Sequence, residues 1–394
     1  MRTPVTLALF GALSMSSCSS LLTEDSNSFL EDAGFLAKHA DGQLLLSGTG
    51  GFVYSPKLQG RVMISALDLS EPTLGFINHE EILNPTVAAA FANYGGEDRF
   101  WIGPEGSQFS FYFKPGDEMN RDIWRVPEDL NVGAFHATTS AQKMERRLKL
   151  SNMAGSEFEL KVQRNIEVPT QLEIEKLVGP ISAQTLWTSF RSVNTVWNDG
   201  SSAWQKKTGL PCIWILGMFA PGANSLAILP FRTDSSDPDQ GPAVRTEYFG
   251  ELDSSRFRIE EGFALLRTDS KYVCKVGIMR NRAKNIMAAY NPDTRVLTLV
   301  QFTPVVADAP YASERWATDV DPYYGDVINS YNHGGPEQFF ELESSSPALE
   351  LAPGESYTHT STTCHFRFAD REQLAQAVKT ALDLDWADVE RAWF

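Results

Sequence analysis

From Phe52 onward the chain is a succession of short runs rich in β-branched and aromatic residues, cut by Gly, Pro, Asn and Asp. "GGFVYS", "RVMISAL", "FWIG", "FSFYF", "FELKVQRNIEV", "CIWILGMF", "SLAILPF", "YVCKVGI", "VLTLVQF" and "YTHTSTTCHFRF" all have strand length and strand composition. Several are apolar on consecutive positions, as in strands covered on both faces. Helices do not alternate with them, which excludes a doubly wound parallel sheet and predicts an all-β antiparallel sandwich or barrel. Two helical segments are expected beside the strands. One is Leu30 to His39. The other is the closing stretch 370–394, where Asp370 and Gln373 form an N-cap pattern and Leu374, Val378, Ala381 and Leu382 recur at helical spacing.

The chain has 394 residues, enough for one large core, and β-rich chains of this length commonly form one domain. Its net charge of -16 argues against nucleic-acid phosphates as partners and is compatible with sugars. Arg2 followed by the apolar run Val5 to Met15 reads as a signal peptide, too short to span a bilayer. "MSSC" then looks like a bacterial lipobox. The expected organisation is a signal peptide at 1–17, lipidation at Cys18, a tether at 18–28 and a sheet-rich domain at 29–394. The protein would then sit in the bacterial cell envelope, in the periplasm or on the outer membrane, held to the membrane by its lipid. Cys212, Cys274 and Cys364 lie in apolar runs and read as small buried hydrophobes. Their number is odd and no zinc spacing is present, so neither a metal nor a cofactor is expected.

Glu341 and Glu343 flank Leu342 in a predicted strand, and alternation sends both carboxylates to one face with Leu342 on the other. A solvated face would explain them, and so would a sugar site with a catalytic base; neighbouring carboxylates raise the pKa of one of the two. "GGEDRFWIGPEGSQFSFYF" (Gly95 to Phe113) places Arg99, Trp101 and Glu105 among glycines and aromatics. Arg can fork onto hydroxyls and Trp offers a plate to a sugar's C–H face, although Arg99 can equally pair with Glu97 or Glu105. "YYGDVINSYNHGG" supplies Asp326, Asn329, Tyr331, Asn332 and His333. Asp326 can pair with Arg99 or act as a second acid; facing Glu341 across a cleft, it would permit glycoside hydrolysis. His136 and His333 are the acid candidates among six histidines. Lys275, Arg280, Arg282 and Lys284 read as a basic turn, or as cations for an anionic sugar.

The Gly95–Phe113 stretch resembles the early strand region of galactose-mutarotase-like proteins, and "FFELESSSPALELAPGESYTHT" resembles their closing pattern. "QGRVMISAL", "TGLPCIWILGMF", "YYGDVINSYNHGGP" and "ELESSSPA" resemble a group of bacterial lipoproteins sharing that fold. The resemblance implies a β-supersandwich with a sugar cleft. In the epimerases of that superfamily a glutamate removes the anomeric hydroxyl proton and a histidine protonates the ring oxygen. Transferred here, Glu341, Glu343, Asp326 and His333 are the catalytic candidates. Arg99, Trp101, Glu105, His136, Asn329, Tyr331 and Asn332 are the substrate-binding candidates. The implied activity is acid/base chemistry on a carbohydrate, by an epimerase or a glycoside-cleaving enzyme; the alternatives are a non-catalytic glycan-binding surface lipoprotein and an inactive envelope protein.

Overall fold

The computed structural model describes residues 28–85, 90–233, 241–250, 252–306 and 308–394. Residues 1–17, expected from the sequence to be a signal peptide, and Cys18 lie outside them. No described helix is long and apolar enough to cross a membrane.

Two large antiparallel sheets carry the structure. The first runs, edge to edge, through Phe257–Glu260, Phe263–Arg267, Leu226–Pro230, Ile286–Asn291, Val296–Phe302, Ser356–Arg367, Leu186–Asn198, Glu157–Glu167, Lys143–Ser151 and His136–Ser140. The second runs through Val244–Arg245, Cys274–Met279, Asp326–Asn332, Phe340–Ser345, Cys212–Phe219 and Arg99–Gly103. A small three-stranded sheet, Gln43–Ser47, Gly50–Ser55 and Arg61–Ala66, packs with the N-terminal helix Phe29–His39. That helix starts on a capping box between Ser28 and Glu31.

Period-two alternation explains how the large sheets share a core. In Leu226–Pro230, Ala227 and Leu229 join Val276, Ile278, Ile328 and Leu342 of the six-stranded sheet. Leu226 and Ile228 turn the other way, onto helices Gln171–Val178, Arg371–Leu382 and Trp386–Trp393. Both faces are covered, so such strands are apolar at every position. Glu157–Glu167, by contrast, alternates buried and accessible residues because one of its faces meets water.

Three expectations change. The closing segment is two helices: Asp383 takes a left-handed conformation (φ 58°) at the end of Arg371–Leu382, and the break lets Leu382, Leu384 and Trp386 all turn inward. "FSFYF" is not a strand. Phe111, Tyr112 and Phe113 are buried in succession, so the segment wraps into the aromatic core as a loop. Helix Gln171–Val178 was not foreseen, though Thr170 and Glu173 form a capping box at its start. Cys212, Cys274 and Cys364 are buried free thiols.

Candidate functional site

The face of the six-stranded sheet turned away from the shared core carries the chemistry, and strand register decides which residues meet there. Glu341 pairs across the ladder with Met218 on one side and Tyr331 on the other, and Tyr331 pairs with Lys275. One step along, Arg99, Leu216, Glu343, Asn329 and Gly277 form the next row. Trp101 and Trp214 begin the third. Cross-strand partners share a face. Two glutamates, an arginine, a lysine, a tyrosine and two tryptophans are thus brought together from five strands, while Leu342 points into the core.

Loops raise walls on this floor and enclose a cavity of about 370 Å³. Phe91, Trp124, Phe249, Trp316, His333 and Phe339 line it with the strand residues. The tryptophans interlock: Trp101 meets Trp214 edge-on at 5.7 Å, and Trp124 stacks on Trp316 at 6.4 Å. The volume lies near the small end of ligand pockets, which begin at about 300 Å³.

The charged groups on the floor are paired and almost dry. Arg99 Nη2 donates to Glu341 Oε1 at 2.8 Å, and the guanidinium lies over the Trp101 ring at 4.1 Å. Glu343 Oε2 accepts from Lys275 Nζ and from Trp214 Nε1, each at 3.0 Å. Burial pushes the Glu341 carboxyl up to about 7, a rise that Arg99 opposes and Glu343 reinforces. Near neutral pH this side chain can both give and take a proton. Burial also raises Glu105, against the pull of Lys275. It works against the charge of Lys275 too, but Glu343, Glu105 and Glu314 outweigh it and hold the ammonium above its ordinary range. Glu343 Oε1 and Trp101 Nε1 are buried with no hydrogen-bond partner among the described residues. One is an acceptor and the other a donor, as a polyhydroxylated ligand requires.

The model of DUF6786, a family of unknown function, matches residues 27–393. The chain belongs to this family. Comparison with curated proteins finds no match. Among solved structures, the chain is similar to a galactose mutarotase-like protein from Clostridium acetobutylicum, with 12% identity over 82% of this chain and 93% of that one and a TM-score of 0.44. It is also similar to a protein provisionally assigned as an aldose 1-epimerase from Escherichia coli K12, with 12% identity, 82% and 98% coverage and a TM-score of 0.48. The Slr1438 protein from Synechocystis sp. PCC 6803 gives 11% identity, 83% and 96% coverage and a TM-score of 0.47. These are partial likenesses of chain path, and the chemistry has to be read from this chain's own cavity.

Eight residues singled out in the sequence line that cavity of the DUF6786 chain: Arg99, Trp101, Glu105, Lys275, Tyr331, His333, Glu341 and Glu343. Arg99 takes Glu341 as partner rather than Glu97, whose Oε2 lies 2.8 Å from His365 Nε2 and accepts its hydrogen bond in the Nε2–H tautomer. His333 sits at the rim, stacked on Phe339 at 4.4 Å, with Nδ1 3.1 Å from the Tyr331 hydroxyl. Burial lowers its pKa, against the attraction of Glu337.

Four others stand elsewhere. Asp326 is fully buried and faces Arg245 at 3.7 Å, not Arg99 or Glu341, and burial pushes it up to about 6. Asn329 shares the row of Glu343 but turns its amide to Asp326 and Tyr248. Asn332 accepts from the Ser270 amide and donates to the Tyr272 carbonyl, holding a loop. His136 is exposed on an edge strand of the ten-stranded sheet. In each case backbone pairing rather than sequence proximity set the direction of the side chain. The sequence reading missed Trp124, Trp214, Trp316 and Phe249. Lys275, read in the sequence as part of a basic turn or as a cation for an anionic sugar, is a lone charge inside the apolar run "YVCKVGI" and finds its buried partner in Glu343. Trp124 and Trp316 had no sequence signal, because they reach the cavity from separate loops. Among the described residues no three His, Cys, Asp or Glu side chains are grouped to hold a metal ion.

Proposed function

We propose that this protein binds a sugar in the tryptophan-walled cavity and moves a proton on it, with Glu341 as the acid/base group. The observation that carries this reading is the state of Glu341: a buried carboxyl raised to about 7, held in place by Arg99 and bordered by aromatic plates. Arg99 orients the carboxylate and limits its rise, so the group stays titratable near neutrality instead of remaining neutral. Glu343, fixed by Lys275 and Trp214, presents its free oxygen to a sugar hydroxyl. In an epimerisation Glu341 takes the proton of the anomeric hydroxyl, the bond from the anomeric carbon to the ring oxygen breaks, and the ring oxygen receives a proton. Rotation and reversal of these steps give the other anomer. Glu105, raised by burial, and His333 at the rim are the two groups able to supply the second proton. The sequence resemblance to mutarotase-like proteins points the same way.

The test is turnover by wild type and Glu341→Gln across a panel of reducing sugars and glycosides, read by anomer exchange in NMR and by release of reducing ends. On any sugar the wild type converts, Glu341→Gln should bind with similar affinity while turnover falls roughly 10²-fold or more. Full activity in that variant would remove Glu341 from the reaction. Glu105→Gln and His333→Gln separate the two second-proton candidates. One observation favours the non-catalytic reading: both floor glutamates already have cationic partners and can serve purely as acceptors. Saturable glycan binding without turnover of any sugar would select it.

Export and anchoring at Cys18 complete the proposal. An acylated N-terminal cysteine in protein from native membranes is the expected mass-spectrometric result, and a free N-terminus at another residue would reject it.

A further inference from the structure

The cavity does not end at its aromatic wall. Arg121 and Phe249 line both the cavity and an adjoining open groove of about 500 Å³, whose other borders include Lys271, Tyr272 and Gly334. Phe249 borders both spaces, and Gly334, next to His333 of the cavity lining, borders the groove. Phe249 packs edge-on against Trp316 at 5.1 Å and carries the Arg121 guanidinium over its ring at 5.0 Å, so aromatic surface leads from one compartment into the other.

The charge of this groove departs from that of the rest of the chain. The protein has 34 Lys and Arg against 50 Asp and Glu, so an unpaired cation is the exception. Around the cavity the cations are spent: Arg99 on Glu341, Lys275 on Glu343, Arg256 on Asp269 and Arg315 on Glu247. Arg121 and Lys271 are exposed, and neither has a carboxylate partner among the described residues. Glu337, a carboxylate of the cavity lining, faces His333 at 3.4 Å, and Asp269, which accepts from the Lys271 backbone amide at 3.1 Å, is paired with Arg256. Two cations without a carboxylate partner among the described residues, beside an aromatic platform, suit an anion attached to an apolar-faced ring.

We infer that the ligand is an acidic oligosaccharide, with one unit in the tryptophan-walled cavity and the carboxylate or sulfate of a neighbouring unit held by Arg121 and Lys271 in the outer groove. This rests on the carbohydrate reading of the cavity and extends it to a substrate class. Arg121 forks onto two oxygens of the anion while Lys271 supplies a second charge, and Phe249 and Tyr272 offer their faces to the ring that bears it. Both cations are solvent-exposed, so the attraction screens with salt.

The experiment uses matched probes: an oligogalacturonate and its methyl ester, and a sulfated galactan oligosaccharide and its desulfated form. Affinities are measured by calorimetry at low and high salt for wild type, Arg121→Gln and Lys271→Gln. Wild type should prefer the acidic member of one pair by roughly tenfold at low salt, the worth of two partly exposed charge pairs. That ratio should fall towards one in high salt and in each variant, and the pair that shows it distinguishes carboxylate from sulfate. Equal affinity for the acidic and neutral members of both pairs overturns the inference, as does a preference that survives both substitutions. Turnover of neutral sugars through Glu341 without any acid preference would leave the proposed function standing and this inference refuted. Absence of binding or turnover with every glycan, charged or neutral, would refute both.

Discussion

Glu314 gives the sharpest physical test of how the site is built. Its side chain is buried, 1% exposed, behind the cavity floor, where Oε2 accepts from the amide of Glu105 and Oε1 lies 3.9 Å from Cys212 Sγ. Burial pushes its carboxyl up to about 8; the Glu105 amide and Lys275 pull against the rise, and Glu105 and Glu343 add to it. A carboxyl that stays protonated in the folded state and ionises when the chain unfolds makes the folded state bind the extra proton. Its contribution to stability is fully present below the unfolded value near 4.5 and is lost as pH rises through about 8. One such proton is worth about 1.4 kcal/mol per pH unit, so the limiting loss from pH 5 to pH 8 is about 4 kcal/mol. Glu341 adds a similar slope up to about 7 and Asp326 up to about 6. Glu314→Gln keeps the acceptor for the Glu105 amide and removes the titration. Urea unfolding followed by tryptophan fluorescence from pH 5 to pH 8.5 should show wild-type stability declining with pH. The Glu314→Gln slope should be shallower by about 1 kcal/mol per pH unit. Parallel curves for the two proteins would mean that Glu314 is ionised when folded, and the account of a proton-rich floor would fail.

On the substrate that the protein turns over, wild-type kcat should titrate with an apparent pKa close to 7, and Glu341→Gln should abolish that titration; a profile flat between pH 5 and 9 would exclude Glu341 as the proton carrier. Lys275→Met strips Glu343 of its cation and should cost roughly 3–5 kcal/mol in denaturant unfolding, while Lys275→Met with Glu343→Leu should recover much of it. Gly277→Ala would place a Cβ 2.5 Å from Asp326 Cγ and 2.7 Å from Asn329 Nδ2, so a loss of roughly 1–3 kcal/mol is expected in thermal unfolding; an unchanged Tm would show that this buried pair moves freely. Cys212, Cys274 and Cys364 should resist maleimide in the native protein and react in guanidinium, counted by intact mass.

The sequence by itself determined the local geometry. Runs of β-branched and aromatic residues made the strands, the helix cap at Asp370 marked a helix start, and two-residue alternation separated Glu341 and Glu343 from Leu342. These are properties of a few consecutive residues, and a few consecutive residues reveal them. The density of Arg99, Trp101 and Glu105 in one strand and turn was legible for the same reason. Partners were not, because pairing depends on ladder register between strands up to 242 positions apart, as in the Arg99–Glu341 pair. Only the fold set Glu343 against Lys275 rather than solvent, turned Asp326 towards Arg245, left His136 on an outer edge, and brought Trp124 and Trp316 from distant loops onto one cavity. Burial is likewise a property of the whole assembly. The same glutamate that would titrate near 4.5 in an open strand reaches about 7 once the second sheet face is roofed by tryptophan.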